Sequence, residues 1–383
     1  MRPIIVVILL CSLFALLPAN AQEAPTPIIA VKDGSIYAFS PANDSAEPLL
    51  SAPDHYAEIA ENNRKPVVLT SAEWLSPDGR YLAYRVIVPT NSAIAITPTS
   101  RFTQALFVLD LHDPKSSVSI NLGTDETTIE SVAWSLDNTR LYVLANHTLN
   151  ILARDDWALQ TSVDVGGPHP SQAPVISRRI FASDAGVVLV DATDGRQPIG
   201  INFTVFDADG GQVTAFQADW NSTPGTTFYS PFEPLEVDGI VQYGFVDNYN
   251  TLVYLGSFAP ATVNAVEDFN RGYATIGMVS RNAPETSLQV TVFGYETTFD
   301  LSVRDAQGSW LADIPQLRAF AYGGYSGDHF GTRFALSPDG QTLAYLSDKG
   351  LAIWHEGESR TLDFTADVII WSPPQYVTVD LPQ

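Results

Sequence analysis

The sequence has a single cysteine, Cys11, and few charged residues. Charged residues make up 16% of the 383 residues, below the roughly 25% of an average soluble protein. Only 20 residues are basic, against 43 acidic ones, which gives a formal net charge of -23. This charge argues against a nucleic-acid-binding class, because phosphate repels an anionic chain that has no dense lysine or arginine stripe. Aromatic residues reach 11%, which excludes a disordered acidic tail.

Residues 1–21 predict a secretory signal peptide. Arg2 precedes an apolar run from Ile4 to Leu17, and an A-x-A pattern ends at Ala21. A charged start, a short apolar core and a small-residue cleavage site are the three parts of such a signal. The run is about 14 residues long, short of the roughly 20 that a membrane span needs. We expect cleavage after Ala21, a mature domain over 22–383, and a secreted or periplasmic location.

That cleavage would remove Cys11, so the mature chain could form no disulfide and no thiolate metal site. Leu10 before it is bulky and the apolar core continues past it, which favours an interior residue of the signal over a lipid attachment site. No later segment is long and apolar enough to span a bilayer. We therefore expect no membrane span in the mature chain.

Short β-strands account for most of the periodic segments. Runs of roughly four to eight β-branched and aromatic residues are closed by Gly, Pro, Asn or Asp, and helical periodicity is scarce. Strands this short and frequent exclude a parallel α/β sheet and favour an all-β sandwich, barrel or propeller. Examples are Ser35–Phe39, Tyr81–Val88, Ala105–Leu109, Leu141–Leu144, Gly186–Val190, Thr251–Leu255, Leu288–Phe293 and Leu343–Leu346.

A repeated hairpin decides among these all-β classes. Residues 74–84 read WLSPDGRYLAY and residues 335–345 read ALSPDGQTLAY. Residues 132–142 form a degenerate third copy, and residues 369–373 a truncated fourth. In each full copy apolar residues flank a turn in which Asp-Gly or Asp-Asn tolerates left-handed backbone, and in the two close copies Pro presets φ. Trp74, Trp134 and Trp371 recur beside Leu-Ser or Ser in the copies, which indicates packing between repeats rather than ligand stacking.

These residues resemble the WD40-like repeat of TolB-type (PD40) β-propellers. The resemblance implies an all-β fold, a single β-propeller over 22–383 with about seven four-stranded blades at roughly 40–50 residues each. The incomplete repeats at the two chain ends imply that one blade is built from both of them. Strands at Ile28–Val31 and Ser35–Phe39 would share it with Val368–Trp371 and Tyr376–Val379, since a ring must protect its terminal edges.

Catalytic and metal motifs are weak. The six histidines are scattered, without H-E-x-x-H or paired spacing, and we predict no metal site and no cofactor. Residues 324–328 read GYSGD, which has Asp328 where a G-x-S-x-G nucleophile elbow has its last glycine, and no strand-turn-helix context. Residues 207–211 read DADGG, which favours a hairpin turn over a calcium loop. We therefore predict no catalytic residue.

The loop Tyr322–His329 is the candidate binding segment. It holds two tyrosines, a serine, an aspartate and a histidine among three glycines, directly before a strand. The resemblance implies that such a connection lies near the mouth of the propeller channel, which would place Tyr325, Asp328 and His329 where ligands or partners dock. The alternative is a flexible connection between blades.

Together these features favour a monomeric, non-catalytic scaffold that binds a protein partner or a small ligand at a propeller face. A fold does not by itself give a function, and two alternatives remain open. One is a propeller enzyme, a hydrolase or lyase on carbohydrate or ester substrates, with acidic residues around the central channel and with or without Ca²⁺. The other is an accessory to cell-envelope assembly in the manner of TolB.

Overall fold

A computed structural model describes residues 26–50, 67–89, 102–120, 122, 129–166, 175–183, 185–193, 201–218, 229–237, 240–247, 252–258, 261–265, 274–293, 298–318 and 333–380. These residues are almost entirely β-strand; the helical pieces among them are two 3-10 turns, Ala72–Trp74 and Pro114–Ser116. The predicted all-β fold is confirmed. Within this described part, no helix is long and apolar enough to cross a membrane. The predicted signal over 1–21 lies outside it.

The first fifteen strands run from Ile28 to Ala218. They are β1 (Ile28–Lys32), β2 (Ser35–Ser40), β3 (Ser45–Leu50), β4 (Val67–Leu69), β5 (Tyr81–Pro89), β6 (Phe102–Asp110), β7 (Val118–Ile120), β8 (Ile129–Trp134), β9 (Arg140–Ala145), β10 (Thr148–Ala153), β11 (Leu159–Asp164), β12 (Val175–Ser183), β13 (Gly186–Thr193), β14 (Ile201–Asp207) and β15 (Gln212–Ala218).

The remaining strands of the described chain run from Tyr229 to Asp380. They are β16 (Tyr229–Val237), β17 (Ile240–Asp247), β18 (Leu252–Phe258), β19 (Ala261–Ala265), β20 (Ala274–Ser280), β21 (Gln289–Phe293), β22 (Thr298–Arg304), β23 (Trp310–Arg318), β24 (Phe334–Leu336), β25 (Thr342–Ser347), β26 (Gly350–His355), β27 (Glu358–Thr361), β28 (Val368–Ile370) and β29 (Pro374–Asp380).

Within the described residues these strands form seven antiparallel sheets, numbered here in chain order. Sheet 1 has the order β28-β1-β2-β3, and sheet 6 has the order β23-β22-β21-β20-β29. The other five sheets each take four consecutive strands: β4 to β7 form sheet 2, β8 to β11 sheet 3, β12 to β15 sheet 4, β16 to β19 sheet 5 and β24 to β27 sheet 7. Short connections, such as those between β1 and β2 and between β9 and β10, explain the antiparallel order of those neighbours, because a hairpin joins antiparallel strands directly.

The two ends of the described chain enter different sheets. In sheet 1, β1 pairs with β28 in the register Ile29↔Ile370 and Val31↔Val368. Residues 376–379, predicted to share the sheet of the first strands, instead lie in β29, which pairs with β20 of sheet 6. That prediction is wrong for this strand. The reason is local: the backbone N–H of Arg281, just after β20, donates to the Pro373 carbonyl at 3.0 Å and holds the chain against sheet 6.

Neighbouring sheets bury apolar side chains against each other. Strand β5 shows how, because alternate residues of a strand point to opposite faces: Leu82 and Tyr84 pack in a cluster with sheet 1, while Ala83 packs in a cluster with sheet 3. Further clusters join sheet 3 to sheet 4, sheet 6 to sheet 7, and sheet 7 to sheet 1. Strand β16 of sheet 5 adjoins both β12 and β29. Several four-stranded sheets packed face to face are consistent with a β-propeller.

The repeated S-P-D-G residues form the turn into the second strand of a sheet. In the first copy, Ser76 Oγ donates to Asp78 Oδ1 at 2.6 Å and accepts the Tyr81 backbone N–H at 2.8 Å. The third copy repeats both bonds: Ser135 Oγ donates to Asp137 Oδ1 at 2.6 Å and accepts the Arg140 backbone N–H at 2.9 Å. The serine is therefore needed for the two hydrogen bonds that its hydroxyl makes, and the aspartate is needed to accept the hydrogen bond from that hydroxyl. Trp74, Trp134 and Trp371 are buried in clusters between sheets, which confirms their predicted packing role.

Candidate functional site

A small cavity lies where sheets 2, 3, 4 and 6 come together. Its volume is about 20 Å³, which is room for about one water molecule. Four residues that lead into the first S-P-D-G turn form one wall: Ala72, Glu73, Leu75 and Pro77. The ends of β8 and β12 form two others. Arg281 and the Pro373-Pro374 pair complete the lining. The first strands of sheets 3, 4 and 6 all end at this cavity.

Hydrogen bonds between first strands fix its walls. The Ile180 backbone N–H of β12 donates to Ser131 Oγ of β8 at 3.2 Å, and both groups are buried. This bond joins sheet 4 to sheet 3 at the edge where each has its first strand. A buried N–H of this kind needs such a partner, because burying it unpaired costs about 1–3 kcal/mol.

An ion pair reaches from sheet 4 to sheet 2, past sheet 3. Arg179 of β12 places Nη1 3.4 Å from Oε2 of Glu73, and their side chains are only 8% and 17% exposed. Glu73 belongs to the 3-10 turn Ala72–Trp74 and also lines the cavity. A charge buried this far is stable only when it is paired. The pair therefore fixes the distance between two sheets that are not neighbours in the chain.

The preceding residue of β12 points to the other face and pairs with sheet 3. Arg178 places Nη1 3.5 Å from Glu130 Oε2 and 3.0 Å from His147 Nδ1. A guanidinium only donates, so this contact is a hydrogen bond in the tautomer with Nδ1 unprotonated. The same Nδ1 also lies 3.4 Å from Glu130 Oε1. The Glu130 carboxylate also accepts the His147 backbone N–H at 3.0 Å. It thereby stabilises the left-handed backbone of His147, which has φ of 63°.

Arg281 fixes the sixth sheet to the cavity. Its backbone N–H donates to the Pro373 carbonyl at 3.0 Å, and its Nε donates to the Pro374 carbonyl at 3.2 Å. Ser280 Oγ donates to the Pro338 carbonyl of the S-P-D-G turn in sheet 7 at 2.9 Å. The start of β29 is thus held at the cavity by Arg281.

The first S-P-D-G turn carries a second group of charges beside the cavity wall. Burial raises the pKa of Asp78, but hydrogen bonds from Ser76 Oγ, the Arg80 backbone N–H and Arg154 outweigh burial and hold that pKa below its usual value. Arg154 comes from sheet 3 and places Nη2 2.6 Å from Asp78 Oδ2. The Tyr81 ring lies 4.9 Å from Arg80 Cζ and 4.6 Å from Arg154 Cζ. These contacts lock sheet 2 to sheet 3 at the surface.

The predicted binding residues Tyr325, Asp328 and His329 lie outside the described residues, between the end of β23 and the start of β24, and their role stays a prediction. The predicted turn at 207–211 is confirmed: the Asp207 carboxylate accepts the Gly211 backbone N–H at 2.7 Å. Among the residues that the structure describes, no group of three His, Cys, Asp or Glu side chains could hold a metal ion.

The sequence interpretation missed Glu73, Arg179 and Arg281. One signal for Arg179 was present, since two adjacent arginines interrupt the strand segment VISRRIFAS of a chain poor in basic residues. Buried charges must find partners, so that pair predicts carboxylates nearby. Nothing in the sequence points to Glu73 as the partner, because 106 positions separate the two residues.

No protein-family model matches this chain, and no curated protein matches it. Among solved structures it is similar to a functionally unknown protein from Desulfotomaculum acetoxidans DSM 771, at 14% identity and a TM-score of 0.50, over 92% of this chain and 98% of that one. It is also similar to dihydro-heme d1 dehydrogenase NirN in complex with DHE, at 12% identity and a TM-score of 0.45, over 95% of this chain and 78% of that one. Kluyvelomyces marxianus Hsv2 has 12% identity and a TM-score of 0.37, over 75% of this chain and 76% of its own. Likeness at such identities concerns the fold alone.

Proposed function

We propose that this chain is a secreted or periplasmic, seven-bladed β-propeller of the TolB type that acts as a non-catalytic binding scaffold. Each of the seven sheets is one blade, and the pairing of β1 with β28 closes the ring. The partner is a protein or a small ligand that binds at a mouth of the central channel.

The contacts between sheets support a closed circuit. Apolar clusters link sheet 6 to 7, 7 to 1, 1 to 2, 2 to 3 and 3 to 4. Strand β16 adjoins β12 of sheet 4 and β29 of sheet 6, so sheet 5 fills the remaining position. A closed ring also leaves no unpaired sheet edge at the chain ends, because strands from both ends pair within one blade.

In such a ring the first strand of each blade lines the channel. The cavity lies at the ends of β8 and β12, and so at one mouth of the channel. The loop Tyr322–His329 precedes β24 in the sequence, and we propose that it belongs to the opposite mouth. The two candidate binding regions would therefore lie at opposite ends of one channel.

The charged residues at the cavity mouth support the binding function. Glu73 of sheet 2 and Arg281 of sheet 6 line the cavity, and Arg179 of sheet 4 pairs with Glu73. A cavity with room for about one water cannot enclose an organic substrate, since ligand pockets measure roughly 300–1,000 Å³. Rigid, paired charges at such a mouth are suited to holding the polar rim of a partner. This arrangement supports contact at a surface rather than chemistry in a pocket.

The test is capture of a partner by the purified mature protein, with variants at each mouth. Tyr325→Ala/Asp328→Ala/His329→Ala alters one mouth, and Arg281→Ala alters the other. Leu159→Ala/Val213→Ala is the matched control, because both residues are exposed on the outer strands β11 and β15. Captured molecules from a cell-envelope extract are quantified by mass spectrometry, and thermal unfolding checks that each variant is folded.

We expect one mouth variant to capture at least ten-fold less of a specific partner than the unaltered protein, while the control captures as much as the unaltered protein. Equal recovery by all variants would contradict binding at a channel mouth. Turnover of a carbohydrate or ester by the purified protein would contradict a non-catalytic scaffold and favour the enzyme alternative.

A further inference from the structure

Strand β29 makes sheet 6 unlike the other sheets of the described chain. The other six sheets have four strands, whereas sheet 6 has a fifth strand beyond its first one. β29 pairs with β20 at seven register positions, from Ala274↔Asp380 to Ser280↔Pro374. β20 pairs with its own sheet neighbour β21 at only two, Gly277↔Thr291 and Met278↔Val290. β29 therefore covers the edge of β20 that faces away from β21, along the full length of β20.

The position of β29 follows from its neighbours. It begins at the cavity, where Pro374 forms part of the lining, and it adjoins β16 of sheet 5. A strand of seven residues at about 3.4 Å per residue is roughly 24 Å long. In the ring proposed above, a strand beyond the first strand of a blade lies in the central channel. β29 would thus run along the channel from the cavity mouth towards the opposite one.

Side-chain burial distinguishes β29 from β28. In β28, Val368 and Ile370 are buried in the cluster with sheet 2, and Ile369 is buried in the cluster with sheet 7. In β29, the described side chains after Pro374 are Gln375 and Val377, and both are only half-buried. β28 is therefore part of the core. β29 is attached by its backbone pairing with β20, by the bonds of Arg281 at its start and by its contact with β16. Attachment through main-chain hydrogen bonds to a sheet edge is the way in which extended peptides add to a sheet.

We propose that the channel edge of β20 is a binding site for an extended, uncharged, β-branched segment of a partner polypeptide, and that β29 occupies this site in cis. The inference rests on the proposed ring, because the edge faces the channel only if the seven sheets close. The segment Tyr376-Val377-Thr378-Val379 shows the chemistry that the site takes. A tethered strand competes at an effective concentration in the millimolar range, so the site is closed until β29 leaves.

Hydrogen–deuterium exchange on the unaltered full chain gives the first measurement. We expect the backbone amides of β29 to exchange at least ten-fold faster than those of β28, because β29 leaves its site without unfolding the core. Equal protection of the two strands would overturn the proposal. Loss of protection in β28 itself would instead contradict ring closure, and so the proposed function.

The second measurement is binding of a fluorescent synthetic peptide with the sequence of residues 374–383, PQYVTVDLPQ. The full-chain variant Val377→Pro/Thr378→Pro removes two consecutive N–H groups, one of which must bond to β20 in an antiparallel pair. The control is Val213→Pro/Thr214→Pro, which places the same pair in the exposed outer strand β15. A peptide with proline at the same two positions is the control ligand.

We expect the Val377→Pro/Thr378→Pro chain to bind the peptide at least ten-fold more tightly than the unaltered chain or the β15 control, and not to bind the proline peptide. Equal binding by all three chains, or a folded variant that binds no peptide, would overturn the proposal. An unfolded variant would also overturn it, because β29 would then be a necessary part of the fold rather than an occupant of a site.

Discussion

The indole Nε1 of Trp134 donates a 2.8 Å hydrogen bond to the backbone carbonyl of Trp74. Trp134 stands directly before the serine of its copy, whereas Trp74 stands two positions before Ser76. The bond therefore joins one copy of the motif directly to the next, from sheet 3 to sheet 2. Trp371 of the truncated copy donates in the same way to the Thr26 carbonyl at 2.8 Å. The repeated tryptophan therefore has a structural role that its recurrence predicts: it packs between sheets and caps a carbonyl of the adjacent one.

Replacing Trp134 with phenylalanine should destabilise the protein by about 1–3 kcal/mol, because it leaves the buried Trp74 carbonyl unpaired and the smaller ring leaves a void. Urea denaturation measures this free energy of unfolding. Trp310→Phe is the control, since Trp310 is 57% exposed and a surface change should stay within about 0.5 kcal/mol. Equal effects of the two changes would contradict the role of Trp134.

The two close copies of the S-P-D-G turn should respond differently to alanine at their glycine. Gly79 has φ of 71° and nothing within 4 Å of an added Cβ, so Gly79→Ala should cost only the left-handed strain of about 1–2 kcal/mol. Gly340 has φ of 70°, but an added Cβ would lie 2.5 Å from the Ser287 side chain. Gly340→Ala should therefore cost about 1–3 kcal/mol more, by overpacking. Thermal and urea unfolding compare the two variants, and equal losses would contradict the close contact of sheets 6 and 7.

The repeats allowed the all-β fold and the turns to be predicted, because their physics is local. The hydrogen bonds that shape the turn join Ser76 to Asp78 and to Tyr81, at most five positions away, and a sequence window contains all three residues. Strand β29 could not be placed in the same way. Residues 376–379 have a strand pattern, but the choice between the edge of β1 and that of β20 depends on the Arg281 contact with Pro373, which the pattern does not contain.

The cavity site shows the same limit. Arg179 could be recognised as a charge within a buried strand, but its partner Glu73 lies in another sheet and far away in sequence. The pairing of a given arginine with a given carboxylate depends on the order of the sheets in space, and a short sequence motif contains no information about that order. The loop with Tyr325, Asp328 and His329 stays a prediction from composition and position.

The pair of Glu73 and Arg179 should contribute to stability as one unit. Glu73→Gln removes the carboxylate that pairs with a guanidinium only 8% exposed, which should cost about 3 kcal/mol. In the double variant with Arg179→Gln, the loss should be smaller than the sum of the single losses by about 0.5–3 kcal/mol. The exposed pair of Asp44 and Arg360 is the control, with an expected coupling of about 0–1 kcal/mol. Additive losses at Glu73 and Arg179 would contradict their direct interaction.

Acid should remove the contribution of Asp78 to stability. Its folded-state pKa lies below the usual 3.8, so its ionised form stabilises the fold above that pH, and this stabilisation is lost as the pH falls through the lowered pKa. Asp78→Asn should therefore be less stable than the unaltered protein at pH 7, and the two should converge as the pH falls below the lowered pKa of Asp78. Urea denaturation at a series of pH values measures the difference. A difference that stays constant to low pH would contradict the ionic bond with Arg154.

Disulfide trapping of β1 against β28 tests the closed ring most directly. In a Cys11→Ser background, Val31→Cys/Val368→Cys places two thiols at register partners of sheet 1, whereas Val31→Cys/Val377→Cys places the second thiol on β29 of sheet 6. Mild oxidation of the folded protein, followed by non-reducing electrophoresis and mass spectrometry, should give an intramolecular disulfide in the first variant and free thiols in the second. Free thiols or disulfide-linked dimers in the first variant, or an intramolecular disulfide in the second, would contradict a ring closed by β1 and β28.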